Sequence, residues 1–292
     1  MRPWTATWDE LVHAHGEHHA RKAVARGRIV RMVRDIYAPA AFANSVTIRA
    51  EAAVKATGSR GAITGQAALF LSGLLEEPPT LVVLAIGRHH HATRVPHGVT
   101  YYRCSVRVPT WALNDLTIAE PPWALVHAMR EIAPSARLGT ALTVLAHRDI
   151  DAGEVAEAVD AAPYAKGRRE LIKALTFHSQ GIESPLEFRG MRDVLTGPEF
   201  AHLERQVRVD VDGARYRLDA FDADALLAIE FDGKRYHQSP DQWEADRARD
   251  LALASAGIHT LRITHRMVVS SPEAVRARVL AVMTARRRAL AA

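Results

Sequence analysis

Acidic side chains interrupt two apolar, strand-like segments in the C-terminal part of this sequence. Asp219 lies within Tyr-Arg-Leu-Asp-Ala-Phe (residues 216–221), and Glu230 lies within Leu-Leu-Ala-Ile-Glu-Phe (residues 226–231). Because burial of an unpaired carboxylate is costly, these residues indicate either a functional site or the solvated edge of a sheet. Side chains alternate along a strand, so Glu230 and Asp232 share one face.

The carboxylates predict a site for a divalent cation. A tight turn that pairs Asp219 with Ala228 would place Asp219 on the face of Glu230 and diagonal to it, with the Cα atoms about 7–8 Å apart. Two carboxylates at this separation can bind one cation, and oxygen ligands with room for water suit Mg²⁺ or Mn²⁺. The prediction depends on register, since a shift by one residue would move Asp219 to the opposite face.

The segments around these residues predict a mixed sheet flanked by helices. Ser184-Pro185-Leu186-Glu187 has the N-cap serine, N1 proline and N3 glutamate of a capping box, and Asp212-Gly213 is a strong hairpin turn. The predicted order is helix, three strands, helix, strand and helix, with the strands at residues 206–210, 216–221, 226–231 and 258–263. Such an order is a meander followed by one parallel return.

This C-terminal segment resembles the PD-(D/E)XK nuclease fold, and more closely the very-short-patch-repair-endonuclease-like domain of unknown function. The resemblance covers about residues 182–270 and rests on a Glu-x-Asp-Gly-x-x-x-His signature at residues 230–237, followed by Asp246, Arg249 and Asp250. It implies that Asp219 and Glu230 are metal ligands. It also implies that Glu187 is the helix carboxylate that helps to order metal-bound water, although a glutamate in a capping box needs no catalytic role.

The chain departs from the PD-(D/E)XK pattern at the motif lysine. Two residues after Glu230, where the pattern has lysine, this chain has Asp232, which can bind metal or accept a proton but carries no positive charge. Lys234 and His237 are the nearby candidates for the missing role. We favour His237 as the general acid or base, because a histidine with a pKa near 6.5 can both accept and donate protons. Lys234 follows a glycine and is equally compatible with a solvent-facing turn.

The composition is that of an ordinary globular protein. The chain has 292 residues, of which 48% are hydrophobic and 24% charged, so collagen-like, low-complexity and wholly disordered classes are excluded. Its single cysteine, Cys104, excludes an intramolecular disulfide framework and a multi-thiolate zinc site. The sequence has no apolar run of about 18 residues and begins without a signal-peptide pattern, which predicts a cytoplasmic protein with no membrane partner.

The positive charge is concentrated near the N-terminus. Residues 1–50 contain eight basic and four acidic side chains, whereas residues 176–292 contain seventeen of each. Short helices followed by a β-branched segment at residues 29–37 predict a winged helix-turn-helix that binds DNA. A solvated basic face on a small helical domain is the alternative. The predicted phosphate contacts are Arg21, Lys22, Arg26, Arg28, Arg31 and Arg34.

The first 160 or so residues resemble the winged-helix antitoxin domain of the abortive-infection (AbiEi) type. The resemblance rests on RKAVARGRIVRMVRDIYAPA and ITGQAALFLSGLL. It implies that the N-terminal part binds promoter DNA and is compatible with a toxin or a phage-defence partner.

The sequence therefore predicts an α/β protein of the multidomain α+β type. Its parts are a winged-helix segment (1–50), an α+β middle region (51–175) and a restriction-endonuclease-like domain (176–292) built on a mixed sheet flanked by helices. The predicted function is Mg²⁺- or Mn²⁺-dependent hydrolysis of DNA phosphodiesters, with DNA recruited by the winged helix. The alternative is a DNA-binding regulator or antitoxin whose nuclease-like domain has lost activity.

Overall fold

The chain divides into two compact units, Met1–Leu175 and Thr176–Ala292. A computed structural model describes residues 4–58, 60–90, 94–114, 116–182, 184–232 and 240–292. The architecture is mixed α/β, with two sheets in the first unit and one in the second. Among the described helices, none is long and apolar enough to cross a membrane.

The first unit begins with two short helices and a small antiparallel sheet. Thr7 and Glu10 form a capping box, in which each side chain accepts a hydrogen bond from the other residue's backbone N–H. Gly16, with φ of 77°, joins the two helices. The sheet order is β1-β3-β2, and the β-branched segment at residues 29–37 forms an antiparallel hairpin. The elements are β1 (Ala6–Thr7), α1 (Trp8–His15), α2 (Glu17–Ala25), β2 (Ile29–Val33) and β3 (Ile36–Pro39).

The rest of the first unit is a five-stranded mixed sheet with helices. Its order is β6-β5-β4-β8-β7, and Ile63, Leu84 and Ile118 are fully buried in it. The last helix, α8, continues into the second unit. The elements are α3 (Val46–Ala56), β4 (Gly61–Thr64), α4 (Gly65–Leu71), β5 (Val82–Gly87), β6 (Val99–Cys104), β7 (Thr110–Leu113), β8 (Leu116–Ala119), α5 (Pro121–Ala128), α6 (Pro134–Leu145), α7 (Ala152–Ala161) and α8 (Arg168–Ser179).

The second unit is built on one four-stranded sheet with the order β12-β11-β10-β9. The first three strands form an antiparallel meander and the fourth returns parallel to its neighbour, which confirms the predicted topology. The short helix α11 is an addition to the predicted elements. The elements are α9 (Pro185–Arg189), β9 (Glu204–Val211), β10 (Ala214–Asp222), β11 (Leu227–Asp232), α10 (Pro240–Ser255), β12 (His259–Thr264), α11 (His265–Ser270) and α12 (Pro272–Leu290).

The register between β10 and β11 differs by two residues from the predicted one. Ala228 pairs with Phe221 instead of Asp219, because the connecting turn is longer than a tight hairpin. The buried Asp222 carboxylate accepts a hydrogen bond from the Ala225 backbone N–H (3.1 Å) and pairs with Arg287 of α12 (2.9 Å), and these contacts stabilise the wider turn. A shift by two residues preserves the side-chain faces, so the predicted face of Asp219 is unchanged.

Both faces of this sheet pack against apolar side chains. On one face Ile229 belongs to a cluster that includes Val279 and Met283 of α12. On the other face Ala228 belongs to a cluster that includes Leu253 of α10. Because side chains alternate along a strand, Glu230 lies on the same face as Ala228 and beyond the end of this second cluster. The packing therefore fixes the strand that carries the acidic residue.

Candidate active site

The predicted carboxylates lie together in an open cleft of the second unit. The cleft has a volume of about 760 Å³, and Glu187, Asp219, Glu230 and Asp232 all line it. The last pair of β10 and β11 at this end is Ala220 with Ile229, so Asp219 and Glu230 are the next residues along the two neighbouring strands. Both carboxylates therefore line the same part of the cleft.

Asp219 is held in place by the neighbouring strand. Its Oδ2 accepts a hydrogen bond from the backbone N–H of Phe231 at 2.8 Å. Burial raises the pKa of Asp219, while the hydrogen bond from Phe231 and the positive charge of Arg217 act in the opposite direction. The carboxylate is therefore oriented by the backbone of β11, next to Glu230.

Glu230 is the most strongly perturbed carboxyl group of the cleft. Burial, and secondly the negative charge of Asp219, raise its pKa to about 7. Arg249 of α10 partly offsets these effects, since its Nη2 donates a hydrogen bond to Glu230 Oε1 at 2.8 Å. The same Nη2 also donates to the backbone carbonyl of Arg217. A positively charged ligand of this carboxylate pair would stabilise the ionised form of Glu230.

Glu187 occupies the third position of α9, as predicted. Its backbone N–H donates to the Oγ of Ser184 at 3.0 Å, so the serine is the N-cap. The Glu187 side chain is buried, and its Oε2 accepts a hydrogen bond from Gln206 Nε2 at 3.4 Å. The capping serine thus starts the helix, while the glutamate carboxylate is directed towards β9 and the cleft.

Asp232, which stands at the position of the motif lysine, belongs to a network of ion pairs. Asp232 lies 4.0 Å from Arg262, whose Nη2 also donates to Asp250 Oδ1 at 2.6 Å. Lys234 and His237, the two candidates for the role of the lysine, lie outside the described residues. Positive charge at this part of the cleft is therefore provided, among the described side chains, by arginines.

Among the other residues that line the same cleft, three from the C-terminal half of the domain were not assigned a role from the sequence. They are Arg249, Arg262 and His265. Arg262 is opposite Glu230 in the parallel pairing of β11 and β12, and His265 follows directly after β12. The predicted parallel pairing of β12 with β11 could have placed Arg262 and His265 in the cleft, since the C-terminal ends of parallel neighbours meet at one sheet edge. The contact of Arg249 depends on how α10 packs, which the sequence pattern does not reveal.

The described residues contain no group of three or more His, Cys, Asp and Glu side chains that converge on a metal position. The cleft nevertheless has the chemistry that suits a hard cation. Asp219 and Glu230 are adjacent carboxylates, and their mutual repulsion is relieved when a cation binds both. The chemistry of these two residues suits the predicted metal site, and Glu187 of α9 lines the same cleft.

The six predicted DNA-binding cations are all exposed and lie in two groups. Arg21, Arg31 and Arg34 surround a shallow depression that Trp8 also lines. Lys22, Arg26 and Arg28 line a second depression on another side of α2, together with His15 and His19. Arg21 is engaged in an ion pair with Glu17 at 2.6 Å. Two separate basic surfaces are therefore available to a polyanion, where the sequence suggested one.

A comparison with known families agrees with the geometry of the second unit. The family model REase_MTES_1575, a restriction-endonuclease-like domain, matches residues 199–283. No curated protein matches the chain. The matched segment includes Asp219, Glu230 and Asp232 on the strands and Arg249 on α10, whereas Glu187 precedes it. The second unit thus contains a restriction-endonuclease-like domain, which indicates a nuclease.

The raised pKa of Glu230 leads to a prediction about stability in the absence of metal. A carboxyl group whose pKa is higher in the folded state than in the unfolded state stabilises the fold at low pH, and this contribution is lost as pH rises from about 4.5 to 7. Replacing Glu230 by Gln removes the ionisation. We expect the free energy of unfolding of the variant, relative to the parent, to increase by about 2 kcal/mol between pH 5 and pH 8.

The measurement is urea-induced unfolding at both pH values in the presence of EDTA. Glu204→Gln, which makes the same substitution at an exposed position of β9, is the matched control. The free energy of unfolding of this control, relative to the parent, should be the same at pH 5 and pH 8. A parallel pH dependence of parent and Glu230→Gln would contradict the prediction.

Proposed function

We propose that the protein is a metal-dependent DNA endonuclease that hydrolyses phosphodiester bonds in the cleft of its second unit. The observation that carries the proposal is the pair of Asp219 and Glu230, which line one cleft on neighbouring strands inside the segment matched by a restriction-endonuclease-like family. The Asp219 carboxylate accepts from the Phe231 backbone and Glu230 pairs with Arg249, and the two negative charges are neighbours in the cleft. Their shared task is the binding of a cation.

Asp219 and Glu230 would hold Mg²⁺ or Mn²⁺, with Glu187 at the third side of the cleft. When bound, the cation polarises the phosphoryl oxygen and lowers the pKa of the attacking water. Residues of the chain position the two carboxylates and favour their ionised forms. Arg249 favours the ionised form of Glu230, and Phe231 orients Asp219 through its backbone N–H.

Substrate binding is assigned to the arginines that border the cleft. Arg215 and Arg217 are exposed, line the cleft and flank the acidic pair on β10. Guanidinium groups at this place can pair with the phosphates on either side of the bond that is cut. Arg262 holds the Asp232 carboxylate and so limits its repulsion of the phosphate backbone. His237 remains our candidate for proton transfer.

DNA recruitment is assigned to the N-terminal segment. The excess charge of residues 1–50 and the two basic surfaces around α2 favour a polyanionic partner. A helix-turn-helix formed by α1 and α2, with β2 and β3 as the wing, would place α2 in the major groove. The first unit would then provide most of the affinity for DNA. The second unit, which is electrically neutral overall, would provide the residues that hydrolyse the phosphodiester bond.

The proposal is tested by incubating the full-length protein with supercoiled plasmid. We expect nicked or linear DNA with Mg²⁺ or Mn²⁺, because the acidic pair needs a cation to approach a phosphate, and we expect none with EDTA. Gel electrophoresis after increasing incubation times gives the rate. Intact plasmid with both metals, at a protein concentration that binds the DNA completely, would contradict the proposed activity.

The second candidate function is a DNA-binding regulator with an inactive nuclease-like domain, as in an antitoxin or a phage-defence system. Two observations favour it: Asp232 stands at the motif lysine position, and Arg249 already neutralises Glu230. Such a protein would bind a specific promoter-like duplex and leave the plasmid intact with every metal. The plasmid assay therefore separates the two functions.

A further inference from the structure

Gln206 has an unusual backbone conformation inside a regular strand. It lies in the middle of β9 with φ of 51°, which is the left-handed region that side chains other than glycine rarely adopt. Its neighbours keep the regular pairing, with Arg205 opposite Ala220 and Val207 opposite Leu218. The distortion is thus confined to the position opposite Asp219, and backbone strain of this kind is concentrated at functional sites.

The distortion brings the Gln206 side chain between two of the acidic residues. Its Nε2 donates to Glu187 Oε2 at 3.4 Å. Burial raises the pKa of Asp219 and the Gln206 side chain acts in the opposite direction, so the amide lies close to this carboxylate as well. The Oε1 atom is buried and has no hydrogen-bond partner among the described residues. An unsatisfied buried oxygen and a strained backbone both reduce stability, so the arrangement is not explained by folding.

The space that the Gln206 side chain occupies is open because residue 181 is a glycine. A Cβ atom at Gly181 would lie 2.5 Å from Gln206 Cγ, and Gly181 itself has φ of 82°. Two unusual backbone positions, 25 residues apart in sequence, therefore converge on one amide. Gln206 does not line the cleft but lies behind Glu187 and Asp219, which do.

We infer that Gln206 is a positioning residue, whose amide holds the carboxylates of Glu187 and Asp219 together so that both serve one divalent cation. The inference rests on the proposed function of this cleft and deepens it. The amide has two N–H groups, of which one donates to Glu187 and the second can serve Asp219. Residues that orient metal ligands in this way contribute about 10–100-fold to metal affinity or activity.

The test uses Gln206→Gly in the full-length protein. Glycine relieves the backbone strain, so we expect a thermal midpoint in EDTA that equals or exceeds that of the parent. We expect the affinity for Mg²⁺ and Mn²⁺, measured by calorimetric titration without DNA, to fall by about 10–100-fold, with a comparable decrease in plasmid cleavage. A merely structural residue would change both stability and activity in the same direction.

Two further variants separate the backbone from the amide. Gln206→Met keeps a side chain of similar length but donates no hydrogen bond, so its cation affinity should fall as in Gln206→Gly. Asp212→Gly makes the corresponding backbone change at an exposed turn residue with φ of 51°, and it should retain the parent's affinity and cleavage.

The outcomes distinguish this inference from the proposed function. A parent protein that binds the cations but leaves DNA intact contradicts the nuclease activity, while weaker binding by both Gln206 variants still supports the positioning role. Unchanged cation affinity in Gln206→Gly and Gln206→Met overturns the positioning role. A lower thermal midpoint of Gln206→Gly, or a parent that binds neither cation, also overturns it.

Discussion

Replacing Asp219 by Asn, or Glu230 by Gln, is expected to abolish metal-dependent DNA cleavage without unfolding the protein. Each substitution removes a charged oxygen ligand from the proposed cation site, and a metal ion typically contributes several kcal/mol to the stabilisation of charge in a transition state. Because each 1.36 kcal/mol corresponds to a tenfold change in rate, we expect a decrease of about 10²–10³-fold in single-turnover cleavage of supercoiled plasmid.

The stability of the same variants provides an independent readout. The two carboxylates repel each other without metal, so the variants in EDTA should be at least as stable as the parent. Mg²⁺ should raise the thermal midpoint of the parent alone, because only the parent binds it. Asp212→Asn, a neutralising substitution at the exposed β9–β10 turn, is the matched control and should behave as the parent. Cleavage at the parent rate by both site variants would refute the assigned site.

Removing the basic side chains of the N-terminal segment is expected to flatten the salt dependence of DNA binding. Each phosphate contact contributes about 0.9 to the slope of log affinity against log salt concentration. A double variant with Arg31→Ser and Arg34→Ser, or one with Lys22→Ala and Arg26→Ala, should therefore reduce the slope by about 1.8 if both side chains contact phosphates. Fluorescence anisotropy with a labelled duplex at several salt concentrations measures the slope.

The comparison of the two double variants decides which basic surface binds DNA. Both remove two positive charges, so a general effect of net charge would act equally on them. Arg278→Ser with Arg288→Ser removes the same charge from exposed positions of α12 and is the control. If this control flattens the slope as much as the N-terminal variants do, the N-terminal segment is not the DNA-binding surface. Point variants are preferable to a deletion, because Ala38 and Ile48 are buried in the first unit.

The topology of the second unit was predictable because the sequence patterns that indicate it involve residues close together in the chain. The hairpin turn at Asp212-Gly213 has both residues at positive φ, as a two-residue turn between twisted strands requires. Alternating apolar residues then assigned the two faces of β11 correctly, whereas in β10 Leu218 and Ala220 belong to clusters on opposite faces of the sheet. The register was wrong by two residues because the turn after β10 depends on Arg287, which lies 65 residues away in the sequence from Asp222.

The acidic residues of the site were also predictable, since a carboxylate inside an apolar segment contrasts with its neighbours. The residues that contact and orient these carboxylates were not predictable. Gln206 is an ordinary polar residue in an alternating strand, and nothing in the local sequence indicates its left-handed backbone. Arg249 is one of several charged residues on a helix, and only the packing of α10 selects it as the partner of Glu230.

The amino-acid sequence by itself therefore determined the strand order, the faces and the acidic residues of the site, because alternation, turn chemistry and capping act over a few neighbouring residues. The tertiary structure decided that Asp219 and Glu230 line one cleft, that arginines of α10 and β12 supply positive charge there, and that Gln206 is hydrogen-bonded to Glu187. These contacts bring together residues that are far apart in the chain, and their geometry depends on the packing of helices against the sheet.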